Sequence, residues 1–348
     1  MRKLFLLFAF SAPLVAPAAQ PVDLRVVTFN AEILTAPRVR AGQLNKYRFD
    51  YARERHLERV AGLIETLSPD LLNLVEVTSV EAVDRLVEIL HEKGFSDYRG
   101  YHVESHDTFS GMDVGVISRV PLLALSDVGA EAGQSEHLQT IYSDADDPTW
   151  RQAFSFVGWE GDQRKGTTSL SRNSMYFVEV NGWRLGFFGL HLKSNPSDDY
   201  SNAKRTGEAE VVRRAIRAEI VARGFLPVVL GDLNDYDPDV PDRDDSRSTS
   251  TDVLRSIKDF DPDRQGPELV NAAKWVQRKA DRYTSHWDWN ENGAADGDDV
   301  YTMIDHVLLP TELADHVRRV FICRTVSLDT SDHFPIVVDL ELPHREGD

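Results

Sequence analysis

The chain has 348 residues, 41% of them hydrophobic and 28% charged, which excludes a globally disordered chain and allows a sizeable buried core. At about 150 residues per domain the length fits one or two domains. A formal net charge of −18 argues against nucleic-acid binding through a broad basic surface, although an acidic enzyme can still hold phosphate on bound cations.

Arg2 and Lys3 precede the apolar run Leu4 to Val15 and then Ala16-Pro17-Ala18, with small residues where a signal peptidase reads. The run falls short of the roughly 20 residues that span a bilayer. Residues 1–18 therefore read as a removable signal peptide and 19–348 as a single exported domain, periplasmic or extracellular. Removing Arg2 and Lys3 from the 39 basic side chains leaves 37 against 57 acidic ones, a balance of −20. With Cys323 as the one cysteine, no intramolecular disulfide can form, so stability must come from the core and from any bound metal.

Leu24 to Phe29 predicts a strand, and Leu57, Val60, Ala61, Ile64 and Leu67 follow at helical spacing up to Pro69. Leu71 to Val77 predicts a second strand, Val80, Val83, Val87 and Leu90 a helix ended by Gly94, and Asp113 to Ser118 a third strand. Met175 to Val180 and Trp183 to Leu190 flank Asn181-Gly182, a hairpin signal because both turn residues tolerate positive φ. A helix is expected over about Ala203 to Arg223, then strands at Leu226 to Gly231, Met303 to Leu309 and Pro335 to Leu340. Hairpins mixed with strand-helix-strand units imply α/β layers with mixed sheets. Gly129 to Gly166 and Tyr236 to Ser250 read as long polar connections of the kind that carry function.

Five polar clusters lie at predicted strand ends, where residues from different elements can converge. They are Asn30 in VVTFNAE, Glu76 in LLNLVEV, His191 in FFGLHLKS, Asp232 with Asn234 in VVLGDLND, and Asp332 with His333 in SDHFPIVV. Each alone has an ordinary explanation as a turn residue or solvated strand end. Together and in this order, from Leu24 to about Leu340, they resemble the endonuclease/exonuclease/phosphatase superfamily. That superfamily includes pancreatic-type deoxyribonucleases, abasic-site endonucleases, bacterial sphingomyelinases and inositol polyphosphate 5-phosphatases. The resemblance implies a four-layer α/β sandwich, two mixed sheets face to face with helices outside, and a metal-dependent phosphoester hydrolase.

A phosphodiester is shielded by its own charge, so its hydrolysis needs neutralised phosphoryl oxygens, a deprotonated water and an assisted leaving oxygen. Glu76 is the leading metal ligand, with Asn30 and Asp332 completing an oxygen shell that suits Mg²⁺ or Mn²⁺ better than Zn²⁺. By the resemblance, Asp232 orients or deprotonates the attacking water, Asn234 holds a phosphate oxygen, and His191 and His333 bracket the phosphate. Asp305 in YTMIDHVLL matches the family position that partners His333. Asp113 in GMDVGVISR is either the partner of His191 or a solvated strand residue. Arg172 resembles a phosphate-contacting arginine, suited to bidentate binding, with a plain surface arginine as the alternative. Lys193 should share a strand face with His191. The family's phosphate-contacting tyrosine has no clear match, since Gly111 lies near that place and Tyr98 and Tyr101 are displaced.

Independently of the family, Asp288, Asn290, Asn292, Asp296 and Asp299 occupy places one, three, five, nine and twelve of a calcium-loop pattern, with Gly293 at six. The alternative is an acidic surface turn.

The expected substrate is a phosphoester: a nucleic acid, a phospholipid head group or a small phosphorylated molecule. Trp150, Phe154, Phe156 and Trp159 fit either a lipid-facing rim or a buried strand. A catalytically silent binding module is disfavoured because Asn30, Glu76, His191, Asp232, Asn234, Asp305 and His333 are all intact. No obligate protein partner is expected, and the chain reads as a monomer.

Overall fold

A computed structural model describes residues 20–346 apart from 41, 131–132, 197, 246–250, 291 and 294–295. The expected signal peptide, residues 1–18, lies outside them. No helix among the described residues is long and apolar enough to cross a membrane.

The chain first builds strand β1 (Val22–Leu34), helix α1 (Asp50–Leu67), β2 (Leu71–Val77), α2 (Val80–Glu92), β3 (Arg99–Tyr101) and β4 (Asp113–Ser118). α1 stops where Ser68 turns left-handed at φ 48° and returns its N–H to the Ile64 carbonyl, ahead of helix-incompatible Pro69. α2 starts where the Ser79 side chain accepts the Ala82 N–H. Next come β5 (Gln152–Val157), β6 (Gln163–Thr168), β7 (Asn173–Val180), β8 (Trp183–His191), α3 (Asp199–Ala215) and β9 (Leu226–Asp232). The β7–β8 turn carries Asn181 at φ 51° and Gly182 at φ 84°, the positive pair that a two-residue hairpin requires. The last third supplies α4 (Val253–Lys258), β10 (Leu269–Asn271), β11 (Ser285–Trp287), β12 (Val300–Thr302), β13 (Asp305–Pro310), β14 (Val317–Ile322) and β15 (Ile336–Leu342).

Two mixed sheets result, ordered β14-β15-β1-β2-β4-β3 and β10-β13-β9-β8-β7. Each contains one parallel pair, β1 with β2 and β8 with β9, and every other pairing is antiparallel. Three apolar layers hold four structural layers together. Leu24, Val26, Val116, Tyr176, Phe187 and Val338 fill the space between the sheets. Val60, Ile64, Val83 and Leu86 seat α1 and α2 on the first sheet, and Val212, Ile216 and Leu254 seat α3 and α4 against the second. Truncating one such buried side chain to alanine costs about 2–5 kcal/mol. The fold is the four-layer α/β sandwich that the resemblance implied.

Two expectations change. The helix expected over 203–223 begins earlier, where the Asp198 side chain accepts the Ser201 N–H, and passes into a π-helical turn at Ile216–Ile220. The connection Gly129 to Gly166 contains the β5–β6 hairpin, laid on α3 with Phe154 and Phe156 against Tyr200 at ring distances of 5.8 and 5.0 Å. Of the four aromatics there, Trp159 stands free at the hairpin tip, whereas Trp150 is half-buried against the core beneath α3.

Candidate active site

The four strands of the two parallel pairs end at one place: β1 delivers Asn30, β2 Glu76, β8 His191 and β9 Asp232. Open α/β sheets gather ligands at such carboxyl ends. The register of β1 on β2 slips between Asn30 and Leu34, and Glu32, Ile33 and Glu76 there have φ of 50°, 56° and 62°. Left-handed backbone is costly for a β-branched residue such as Ile33 and concentrates where the surroundings demand a particular side-chain direction. Here it brings the Ile33 N–H to one Glu76 oxygen at 3.1 Å, while the Asn30 amide donates to the other at 3.0 Å.

In the second sheet, Gly231 precedes Asp232 with φ 129°, and a Cβ there would lie 2.1 Å from the Leu190 carbonyl oxygen. Only glycine fits, which explains the first letter of GDLND. β13 runs antiparallel to β9 and sets Asp305 opposite Asp232. The His333 N–H donates to the Ser331 hydroxyl at 2.9 Å, and that hydroxyl donates to the Asn30 carbonyl at 2.7 Å, so His333 is tied to the end of β1.

At the centre lies Asp232 Oδ2, 3.2 Å from the Asn30 amide, 3.7 Å from His191 Nε2 and 4.0 Å from His333 Nε2. His191 Nε2 is also 3.8 Å from Glu76 Oε1. His333 turns Nδ1 to Asp305 at 2.7 Å, which leaves Nε2 facing the centre. Burial would push His333 towards the neutral form, but Asp305, Asp332 and Asp232 hold its pKa well above the ordinary value. Burial, with Arg172 and His333 nearby, drives that of His191 well below. Asp232 is pushed up to about 7, first by burial and then by Asp305, and burial also raises Glu76. One histidine is thus charged and the other neutral beside carboxyls reluctant to ionise.

The donor set fits a divalent cation. Glu76, His191 and Asp232 each present a ligand atom within 4.8 Å of the others, as do Asp232, Asp305 and His333, and Asp305 Oδ1 is buried without a hydrogen-bond partner. Crowded buried carboxylates of this kind are stabilised by a cation.

The cleft in front of Glu76 and His191 has a volume of about 370 Å³ and is rimmed by Arg172, Lys193, Lys204 and Phe109. Arg172 donates to His191 Nε2 at 3.2 Å and to the Leu192 carbonyl at 3.1 Å. Lys193 lies alongside, its pKa lowered by burial and by Lys204 and Arg172. Fully buried Arg205 pairs with Asp235 at 3.1 Å and donates to the Lys193 carbonyl at 2.8 Å, fastening the loops after β8 and β9 to α3.

Asn30, Glu76, His191, Asp232, Asp305, His333 and Arg172 therefore converge, and three assignments change. Asp113 does not reach His191: its carboxylate takes His102 Nε2 at 2.8 Å and the Ser105 N–H at 2.8 Å. Alternation sends Asp113 to the face of β4 covered by α2, whereas His191 ends a strand of the opposite sheet. His191 has no carboxylate on Nδ1, which is buried without a partner. Asn30 turns its amide N–H, not its oxygen, to Glu76 and Asp232, because Oδ1 accepts the Glu32 N–H at 2.9 Å. Asn234 spends its amide N–H on the Leu192 carbonyl at 3.2 Å and its backbone N–H on Asp232 Oδ1 at 3.0 Å. Asp332 stands half-exposed at the mouth, 3.9 Å from His333 Nε2. The loop residues Asp288, Asn290, Asn292, Asp296 and Asp299 lie apart, between β11 and β12.

Two neighbours escaped the sequence reading. Glu32 accepts the Asp332 N–H at 3.1 Å and pairs with Lys46, which also reaches the Leu328 carbonyl. The signal for Glu32 was its place two residues beyond Asn30, masked by the strand pattern around it; Lys46 lies in a loop with no motif.

Sheets, strand ends and buried acid–histidine centre together form a site suited to phosphoester hydrolysis. The profile of the Endonuclease/Exonuclease/phosphatase family matches residues 28–333, and the chain belongs to that family. No curated protein matches it in sequence. Solved structures share the fold. The endonuclease/exonuclease/phosphatase family protein from Leptotrichia buccalis is 14% identical with a TM-score of 0.55, covering 92% of this chain and 100% of that one. An AP endonuclease from Archaeoglobus fulgidus is 15% identical at 0.52, covering 90% and 98%. D. rerio TDP2, complexed with single strand DNA product, is 14% identical at 0.50, covering 91% and 98%.

Proposed function

We propose that this protein is an exported phosphodiesterase of nuclease type that hydrolyses its substrate with Mg²⁺ or Mn²⁺. The observation that carries the reading is the position of Asp232 Oδ2 between the Nε2 atoms of His191 and His333, at 3.7 and 4.0 Å. A phosphate seated there meets a neutral histidine on one side and a charged one on the other, with a carboxylate aimed at it. Glu76, with Asp332 nearby, would hold the cation, whose charge would supply neutralisation of the phosphoryl oxygens and of the leaving oxygen.

Asp232 accepts a proton from water as the water oxygen bonds to phosphorus and the phosphorus–ester oxygen bond breaks. His333, held charged by Asp305, donates hydrogen bonds to the phosphoryl oxygens, and Arg172 leaves His191 to grip the same group bidentately. Asn30 orients Glu76 and Asp232 through its two N–H bonds, and Asn234 steadies Asp232 through its backbone N–H.

Nuclease type is favoured by the cationic rim of Arg172, Lys193 and Lys204, which suits an anionic backbone beyond the reacting phosphate. The folds of an AP endonuclease and of a TDP2 holding single strand DNA product support the same direction. A lipid-facing rim has less support, since Phe154 and Phe156 are engaged with Tyr200. Export rests on the composition of residues 1–18. The test is hydrolysis of DNA, RNA, sphingomyelin, inositol phosphates and bis(p-nitrophenyl) phosphate with Mg²⁺ or Mn²⁺. Cleavage of DNA or RNA is expected; turnover confined to sphingomyelin or to phosphomonoesters would contradict it.

A further inference from the structure

We propose that Phe109, with Leu44 in the same cleft wall, is the stacking surface for an unpaired nucleobase beside the reacting phosphate, so that the substrate is a single strand and not a duplex. Resting on the nuclease reading above, it names the form of substrate that the same cleft accepts. Exposed apolar side chains are ordinary on protein surfaces, and Phe109 at 60% and Leu44 at 40% exposure would mean little elsewhere. Here both line the cleft in front of Glu76 and His191, together with Arg172, Lys193 and Lys204. One cleft thus offers cations to a phosphate and open apolar surface to the group that the phosphate carries.

The ring is held out by a closely bonded turn. Asp107 Oδ1 accepts the Phe109 and Ser110 N–H groups, each at 3.1 Å, and its Oδ2 accepts the Ser110 hydroxyl. The Gly111 N–H closes the turn on the Asp107 carbonyl at 3.0 Å, with Gly111 at φ 63°. The Phe109 carbonyl takes the Gln43 N–H at 3.0 Å, and Gly42 lies so close that a Cβ there would be 2.0 Å from the Ser110 carbonyl oxygen. These contacts fix the segment that carries Leu44 against the turn that carries Phe109. On the other side, the His106 N–H donates to the Ser171 carbonyl at 2.9 Å, and Asp107 Oδ2 stands 3.9 Å from Arg172 Nε. The turn is thereby set in register with Arg172, which donates to His191 Nε2. A ring fixed in advance loses little entropy when a base lies on it.

Two features choose the occupant. Every base has a π-face that stacks on an aromatic ring whatever the sequence, and one such stack raises affinity about tenfold or more. In a duplex both faces of a base are covered by its neighbours, so a protruding ring meets a base only where the strand is unpaired. The second feature is charge. Duplex binding draws on many phosphate contacts from Lys and Arg, and a chain of net charge −18 with three cations lining this cleft offers no broad basic track for them. Stacking then has to carry the affinity that phosphate contacts do not.

Binding is read apart from turnover in the Asp232→Asn background, which lacks the group that accepts the proton from water. Fluorescence anisotropy with Mg²⁺ in solution compares labelled oligo(dT), a chain of the same length with every base replaced by hydrogen, and a hairpin duplex. Oligo(dT) should bind about tenfold tighter than either of the others. Phe109 is exposed, so Phe109→Ala spares the fold; it should remove about tenfold of the oligo(dT) affinity and leave the base-free chain within about twofold, while Phe109→Trp should keep the affinity. With Asp232 restored, Phe109→Ala should raise KM for oligo(dT) about tenfold with kcat within about twofold. Trp159→Ala, which removes an exposed ring outside the cleft, should change none of these. Unchanged oligo(dT) affinity in Phe109→Ala, equal losses on the oligo(dT) and base-free chains, or duplex bound as tightly as single strand overturns the stacking surface, while cleavage of DNA or RNA leaves the nuclease reading intact. Turnover of sphingomyelin vesicles in place of oligonucleotides would overturn both.

Discussion

Two of the buried histidine–aspartate pairs among the described residues make nearly the same contact, His333–Asp305 at 2.7 Å and His102–Asp113 at 2.8 Å. In the first, Nδ1 meets the carboxylate and Nε2 is left facing Asp232 and Asp332. In the second, Nε2 itself is taken by Asp113, on the side of the sheet that α2 covers. A carboxylate behind an imidazole is therefore not enough for acid–base work. What matters is which nitrogen remains and what it faces: a centre shared by Asp232, His191 and Glu76 for His333, the edge of a helix layer for His102.

The largest break in that contrast is expected at His333. His333→Ala should lower phosphodiester hydrolysis by about 10³-fold or more, in the range of lost acid–base and electrostatic assistance. Asp305→Asn alone should be nearly as severe, and the double variant little worse than His333→Ala, because groups acting as a unit lose activity non-additively. Independent, multiplying losses measured by kcat/KM would separate the two residues. Arg172→Lys should cost about tenfold, chiefly in KM, since an ammonium cannot make the bidentate contact; an unchanged KM would remove Arg172 from phosphate binding.

The second pair should behave the opposite way. His102→Ala should leave kcat within about twofold yet destabilise the fold by about 2 kcal/mol, because Asp113 stays buried with one charge-assisted hydrogen bond lost. Urea unfolding beside the activity assay checks both halves, and a hundredfold loss of activity at full stability would restore Asp113 to the catalytic machinery.

A smaller effect concerns pH. Asp232 is raised to about 7 by burial and Asp305, so between about pH 4 and 7 the folded, metal-free chain binds a proton there that the unfolded chain has released. Stability must then fall as pH rises through that window. Asp232→Asn removes this slope, so the stability of the natural chain relative to the variant should decline from pH 4 to pH 7 in chelator, as measured by thermal or urea unfolding. A flat or rising difference would contradict the burial argument. His191, lowered by burial, contributes the opposite slope below its ordinary pKa in both proteins and cancels in the comparison.

Much of this was legible in the sequence because strand ends carry their own punctuation. Leu71–Val77 and Asp113–Ser118 are apolar runs with clear edges, and the folded strands have the same bounds. Asn30, Glu76, His191 and Asp232 could be read as a set because each sits where such a run ends. The partner of His191 could not. Which face a single strand residue occupies depends on the register and bulges of its neighbours, and Asp113 is turned towards α2 by pairing that β4 does not encode alone. Glu32 was hidden for a related reason: its left-handed φ of 50° arises from the bulge between β1 and β2, a property of two strands together. The β5–β6 hairpin was missed because Gln163–Thr168 has little apolar content and owes its order to β5 and to α3 beneath.

In the proposed function Glu76 holds a cation without which the paired histidines cannot hydrolyse a phosphodiester. Its most direct test is the rate of bis(p-nitrophenyl) phosphate hydrolysis by chelator-stripped protein titrated with Mn²⁺, for the natural chain and for folded Glu76→Gln. The natural chain should start near zero and rise to saturation, while Glu76→Gln should remain at the baseline across the same titration. Full activity in chelator, or a Glu76→Gln curve that overlies the natural one, would contradict the claim.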